Sequence, residues 1–365
     1  MALVIMKKFK VGILGATGMV GQRFVTLLAG HPWFDIAVLA ASKNSAGKTY
    51  EEALNGRWAL AQGLPEKVRN MPVLDAVSDL KEIAAAVDFV FCAVDMPKEA
   101  LMQLEESYAK AECPLISNNS AHRGTRDVPM IIPEVNPEHA NVIEVQRKRL
   151  GTKRGFIAVK SNCSLQCYVP AIYPLRGFGV TKVLACTYQA ISGAGKTFER
   201  WPEMVDNIIP YIAGEEEKSE QEPLKIWGKI CEDGIENATD PSITTQCIRV
   251  PVSDGHTAAV FVSFKNKPTL DEIKQRWQGC NEALSAGVAL PSAPKRFLHY
   301  FEDPSYPQIR SARELENGMA IALGRLRSDT QYDIKFVCMS HNTVRGAAGG
   351  GILMAEMLCA KGFIE

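Results

Sequence analysis

Phe9-Lys10-Val11-Gly12-Ile13-Leu14-Gly15-Ala16-Thr17-Gly18-Met19-Val20-Gly21 is the stretch from which the fold reads outward. Residues 9–14 are largely apolar and end at a glycine, the pattern of a buried parallel strand, and the run from there to about Leu28 has helical spacing. Gly15, Gly18 and Gly21 let the chain turn tightly and let backbone approach a pyrophosphate, whose charge rests on the amides of a helix N-terminus. The spacing is GxxGxxG rather than GxGxxG, so close strand-to-helix packing alone would also use these glycines. IAVLAA (36–41), VDFVFCAV (87–94) and CPLISN (113–118) read as further strands, with a helical pattern through 98–112. Strands and helices alternating at this pitch predict an α/β unit, a doubly wound parallel sheet of the Rossmann type ending near Lys160.

From about residue 180 the rhythm changes. VTKVLACTYQAIS (180–192), IRVPVS (248–253), HTAAVFVSF (256–264) and YDIKFVCMS (332–340) are β-rich and alternate, while 196–230 and 269–287 look helical. An α+β unit follows, built on a large mixed, mostly antiparallel sheet with helices on one face. Residues 343–363 are glycine-rich and then helical, a segment expected to return to the first unit.

Composition narrows the function. Lysine plus arginine number 41, as do aspartate plus glutamate, a balance that argues against nucleic acid as a partner. With 46% hydrophobic and 22% charged residues among 365, the chain is neither disordered nor fibrous. No apolar run reaches the roughly 18 residues of a membrane span. The opening MALVIMKKFK lacks a small-residue cleavage site and reads as a lead-in to the first strand. Ten cysteines with no CxxC pair and no zinc-spaced histidine–cysteine cluster predict a reduced, cytoplasmic protein without a metal site.

Two positions carry the chemistry. At the end of the second strand an NAD site would place an acidic residue. Here stand Ala40-Ala41-Ser42-Lys43-Asn44-Ser45, and Ser42, Lys43 and Ser45 suit the 2′-phosphate of NADP. Cys163, in Lys160-Ser161-Asn162-Cys163-Ser164, precedes a helical run whose free amides would favour a thiolate and lower its pKa. A cysteine nucleophile needs a base, and His256, in a turn between two strands, is the candidate.

Taken together, GILGATGMVGQRF, AASKNSAGK, ISNNSAHR, KSNCS, YQAISGAGK, IPYIAGEEEK, RVPVSDGHTAAVF and HNTVRGAAGG resemble the aspartate-β-semialdehyde dehydrogenase family, in its fungal and archaeal branch, from about Lys8 to the C-terminus. The resemblance implies NADPH-dependent reduction of L-4-aspartyl phosphate to the semialdehyde and phosphate, in lysine, threonine and methionine biosynthesis. By the same token Cys163 is the nucleophile, His256 the acid/base, and Gln189 holds substrate and thioester. Arg249 takes the α-carboxylate, Glu215 (within the run Glu215–Glu217) the amine, and Lys218 and Arg123 the phosphate, with Asn119 beside the substrate. Gly15, Thr17, Gly18, Met19, Val20, Ser192, Gly193 and Asn342 fall to the cofactor. The implied division is 1–160 for NADP, 161–342 for catalysis and dimerisation, and 343–365 for the returning helix, in a homodimer or homotetramer. Two rivals stand beside this: a malonyl-CoA reductase, which shares the HNTVRGAAGG ending, and a non-catalytic NADP sensor.

Overall fold

The computed structural model describes residues 8–285, 287 and 289–365, so the lead-in at 1–7 and residue 286 of the expected 269–287 helix lie outside the described residues. Strands β1 (Phe9–Leu14), β2 (Phe34–Ala41), β3 (Val73–Asp75), β4 (Phe89–Cys92), β5 (Leu115–Ser117) and β6 (Ile157–Val159) form a sheet in the order β3-β2-β1-β4-β5-β6. Every pairing in it is parallel. The chain fans one way from β1 and the other way from β4. The loop after β1 therefore sits at the point of reversal, where open parallel sheets bind ligands.

Sterics explain two of the three glycines in that loop. Gly15 has φ +83°, and a Cβ there would lie 2.4 Å from the Ala93 carbonyl oxygen; at Gly21 it would lie 2.2 Å from that of Gly15. Gly18 meets only one atom, at 3.5 Å, and caps helix α1 (Met19–Leu28) without a side-chain hydrogen bond. The amides of α1 are thus left open. The remaining crossover helix of note, α2 (Lys98–Lys110), packs on β5 and β6.

Helix α3 (Leu165–Ile172) opens the second unit, followed by β7 (Val180–Gln189), helix α4 (Glu215–Ile226) and a hairpin of β8 (Lys229–Cys231) with β9 (Gly234–Glu236). Then come β10 (Ser242–Arg249), β11 (His256–Phe264), helix α5 (Leu270–Ser285), β12 (Leu298–Phe301), β13 (Ile321–Ser328) and β14 (Ile334–Ser340). The large sheet runs β10-β7-β11-β14-β13-β12, antiparallel at its centre and parallel at both edges. Residues of β11 alternate buried and half-buried along its whole length. The inner face packs on α3 and α5; on the outer face the short helix at Ile309–Ala312 packs against Ala322 of β13 and Met339 of β14.

Three expectations need correcting. Helix does not run through 196–230: it begins at Glu215, after a segment broken by Pro202 and Pro210 and by Gly195 and Gly214, both at left-handed φ. The strand near Arg249 lies upstream, over Ser242–Arg249, and stops two residues before Pro251, which has no N–H for a ladder. Residues 87–94 and 113–118 shrink to four and three paired residues, β4 and β5.

The last helix, α6 (Gly349–Ala360), is buried on all sides, and Ile352, Met354 and Leu358 share a core with Phe24 and Phe91 of the first unit. Its Glu356 accepts from Ser292 of the second unit and pairs with His31 of the first at 2.8 Å. Such a carboxylate, fully buried, persists because each of its oxygens has donors.

Candidate active site

Cys163 lies two residues ahead of α3, and its Sγ is 3.4 Å from Nε2 of His256, at the first position of β11. Ninety-three residues separate them in the chain, so only the packing of α3 under the large sheet brings them together. The backbone N–H of Ala190 donates to His256 Nδ1 at 3.0 Å. A neutral ring accepting there must carry its hydrogen on Nε2, facing the sulfur. Burial and the nearby Arg249 guanidinium push the imidazole pKa down to about 3. His256 is therefore neutral at physiological pH.

Burial, reinforced by the Glu215 carboxylate, pushes the Cys163 thiol up to about 11, against the pull of Lys160, Arg123 and Arg249. The expected lowering of this pKa is thus overturned for the free protein. Desolvation of the anion outweighs the helix terminus and the cations.

Helix α4 supplies the next layer. Glu215 is buried and accepts from both Asn162 Nδ2 (2.9 and 3.0 Å) and Gln189 Nε2 (3.1 Å), while Lys218 Nζ lies 2.9 Å from it. Glu216 turns instead to Gln246 and the Cys247 amide, and Glu217 is exposed, so of the three it is Glu215 whose carboxylate lies with Asn162 and Gln189. Arg249, 6% exposed at the end of β10, donates from Nη1 to the Ala190 carbonyl at 2.7 Å. Among the described residues it has no carboxylate within ion-pair distance, which leaves a buried guanidinium beside the thiol in want of an anion. Arg123 reaches the same region and pairs with Glu222 at 2.9 Å. Asn119 does not join it: its amide goes to Cys92 and to the buried Glu105 of α2, and Asn162 is the asparagine at the thiol.

Gly193 lies against this cluster. A Cβ there would sit 3.0 Å from Arg249 Nη1 and 3.1 Å from His256 Cε1. We expect Gly193→Ala to lower kcat/KM about tenfold, roughly 1.4 kcal/mol, with the melting temperature nearly unchanged because the residue is exposed. Kinetics equal to the parent protein's would show that neither group needs its present position.

Sequence reasoning missed several participants. Lys160 is buried and burial brings its pKa down to about 7. Arg345, 1% exposed, forks onto Glu134 at 2.6 and 2.7 Å and lies in a π-helical turn whose Gly346 abuts Cys163. A fork of this kind needs partners 211 positions apart, so no local pattern marks it.

A cleft of about 280 Å³ links the two units, lined by Met19 and Arg23 of α1 and by Ser192, Lys196, Arg313 and His341 across from them. Asn342 bridges its far wall, donating to Ser192 Oγ at 2.8 Å and accepting from the Gly255 amide at 2.8 Å. Gly15, Thr17, Gly18, Met19 and Val20 follow β1 directly, and of these Met19 lines the cleft. Ser42 and Lys43 are exposed beyond β2, and Ser45 is buried at the base of that turn. Among the described residues no group of three or more metal-ligating side chains occurs, and no helix is long and apolar enough to cross a membrane.

A parallel sheet carrying a glycine loop, joined to a thiol–imidazole centre on a mixed sheet, is the layout of the semialdehyde dehydrogenases. Residues 10–143 match the family model described as "Semialdehyde dehydrogenase, NAD binding domain", and 172–345 match "Semialdehyde dehydrogenase, dimerisation domain". Within that class the chain belongs to the aspartate-semialdehyde dehydrogenase family. It is 40% identical to the aspartate-semialdehyde dehydrogenase of Archaeoglobus fulgidus over 98% of this chain and 100% of that one. Against that of Schizosaccharomyces pombe it is 42% identical over 97% and 99%. The crystal structure of aspartate semialdehyde dehydrogenase with NADP from Candida albicans superposes with a TM-score of 0.85 at 37% identity, covering 98% of this chain and 100% of that one.

Proposed function

We propose that this chain is an NADP-dependent aspartate-semialdehyde dehydrogenase that makes L-aspartate 4-semialdehyde from L-4-aspartyl phosphate through a thioester on Cys163. The observation that carries the reading is the Cys163–His256 contact with the unpaired, buried Arg249 beside it. An amino-acid substrate fits the charges: Glu215 for the amine, Arg249 for the α-carboxylate, and Lys218 with Arg123 for the phosphate.

The near wall of the cleft fits a dinucleotide. Gly15 and Gly21 shape a turn no side chain could enter, Gly18 leaves the α1 amides open, and Arg23 Nε is buried without a partner. Ser42 and Lys43 would meet a 2′-phosphate, with Ser45 at the base of their turn, and Ser192, Gly193 and Asn342 the nicotinamide end. Bound NADPH supplies the hydride. The rest is the work of the protein. Cys163 as thiolate forms the S–C bond to the acyl carbon, and the C–O bond to phosphate breaks while Lys218 and Arg123 hold the leaving group. The Nε2–H of His256 donates a hydrogen bond to the oxygen of the tetrahedral states, and as that oxygen re-forms the carbonyl the C–S bond breaks, the aldehyde departs and the sulfur leaves as thiolate. Gln189 fixes Glu215, and so the substrate amine.

The outer face of the large sheet carries Leu184, Cys186, Tyr188, Ala259, Phe261 and Val337, an apolar surface suited to a second copy of the chain. We place the protein in the cytoplasm as a homodimer or a dimer of dimers. The assay is phosphate-dependent NADPH formation from aspartate semialdehyde; a malonyl-CoA reductase or an NADP sensor gives none. Lys218→Ala should raise the phosphate KM about tenfold or more and leave the semialdehyde KM nearly unchanged, because the aldehyde has no phosphate. A rise confined to the semialdehyde KM would reassign the lysine.

A further inference from the structure

Glu222 lies on α4 one turn beyond Lys218 and has no part in the reading above. Its side chain is 8% exposed, and its two oxygens are divided between two segments. One accepts from Arg123 Nη1 at 2.9 Å; the other accepts the backbone N–H of Asn162, the residue before the nucleophile, at 2.6 Å. Arg123 donates its other arm to the Asn118 carbonyl at 3.0 Å, and its Nε is buried without a partner. The same helix fixes the backbone that follows Arg123: Lys225 Nζ donates to the carbonyls of Arg123, Thr125 and Val128 at 2.6–2.8 Å. Arg123 thus already carries a counter-charge, whereas Arg249 carries none.

We propose that Glu222 sets the strength of the phosphate site: it aims Arg123 and ties it to the nucleophile loop, and by repelling the phosphate it keeps the hold weak enough for release. This rests on the assignment of Arg123 to phosphate. A dianion that uses Arg123 would share one guanidinium with Glu222, and two anions on one guanidinium repel each other. The two possible roles of Glu222 differ in sign. If it only positioned Arg123, its loss would weaken phosphate binding; as a repelling charge, its loss tightens binding.

Glu222→Gln keeps the shape and an oxygen for the Asn162 amide while removing the charge. With NADP and semialdehyde saturating, its phosphate KM should fall tenfold or more, and the semialdehyde KM, measured at saturating phosphate, should stay within twofold. Glu222→Asp, which keeps the charge, should hold the phosphate KM within threefold of the parent value. A phosphate KM that rises or stays the same in Glu222→Gln overturns the proposal, as does an equal fall in Glu222→Asp; if the glutamine variant does not fold, Glu222→Met, which also removes the charge from a side chain of similar length, carries the same two outcomes. Arg123→Ala separates the two layers. A raised phosphate KM there upholds the Arg123 assignment whatever Glu222 does, and an unchanged one removes that assignment and this proposal with it.

Discussion

Cys163→Ser is expected to lower turnover on the order of a thousandfold or more while leaving NADPH affinity close to that of the parent protein. The loss is large because a serine hydroxyl is a far weaker nucleophile than a thiolate. Cofactor affinity is spared because the Gly15–Gly21 loop and Asn342 make no hydrogen bond to Cys163. The pH dependence follows from the thiol, pushed up to about 11 in the free protein. Below that value the thiolate fraction rises about tenfold per pH unit. Alkylation by iodoacetamide, followed by peptide mass mapping of Cys163, should therefore accelerate about tenfold per unit from pH 7 to 9 without levelling off. His256 stays neutral throughout that window, its pKa having been pushed down to about 3. A plateau in alkylation near pH 7 would mean a stable thiolate in the free protein, and residual turnover above one per cent in the serine variant would remove covalent catalysis.

The first unit was legible because its determinants are local. A glycine at φ +83° after six strand residues, with a helix behind it, is written within thirteen positions, and the wrapping order of the sheet follows from alternation. What escaped notice was short or remote. β3 and β6 have three residues each, too few for a period to show. The charged and apolar residues between Pro202 and Pro210 mimic a helical face, although the helix itself begins only at Glu215. The site shows the same division. Cys163 and His256 were visible as residue types, and the family motifs placed them together. The sense of the thiol's pKa was not, since it depends on burial and on Glu215, 52 positions away. Asn119 and Asn162 each sit in a motif with a neighbouring serine, and only Ser117 of β5 and the buried Glu105 of α2 draw Asn119 away. Glu222 stood in plain view on α4, but nothing in GEEEKSEQE says that it spans 99 positions to Arg123.

Arg249→Lys should cost a factor of ten to a hundred or more in kcat/KM for semialdehyde, on the order of 1.5–3 kcal/mol, although the charge is kept. Nη1 of the guanidinium donates to the Ala190 carbonyl at 2.7 Å, and the Cys163 sulfur is near enough to act on its charge. An α-carboxylate can take two parallel N–H bonds from a guanidinium fork, a match that an ammonium cannot reproduce. A lysine at 249 would have to choose between the carbonyl and the substrate. The same carbonyl belongs to Ala190, whose N–H fixes the tautomer of His256. Loosening residue 249 therefore has a second consequence that a simple binding defect lacks: the ring can turn, and kcat falls together with the rise in KM. Imidazole NMR of the parent and lysine proteins, with hydrogen on Nε2 in both, would confine the effect to substrate binding; a mixed tautomer in the variant would assign part of the loss to His256. The phosphate KM should remain within about twofold, because Lys218 and Arg123 are untouched. If Arg249→Lys instead raises the phosphate KM and spares that for semialdehyde, the two anion sites must be exchanged. If it changes neither, the substrate is not an aspartyl compound.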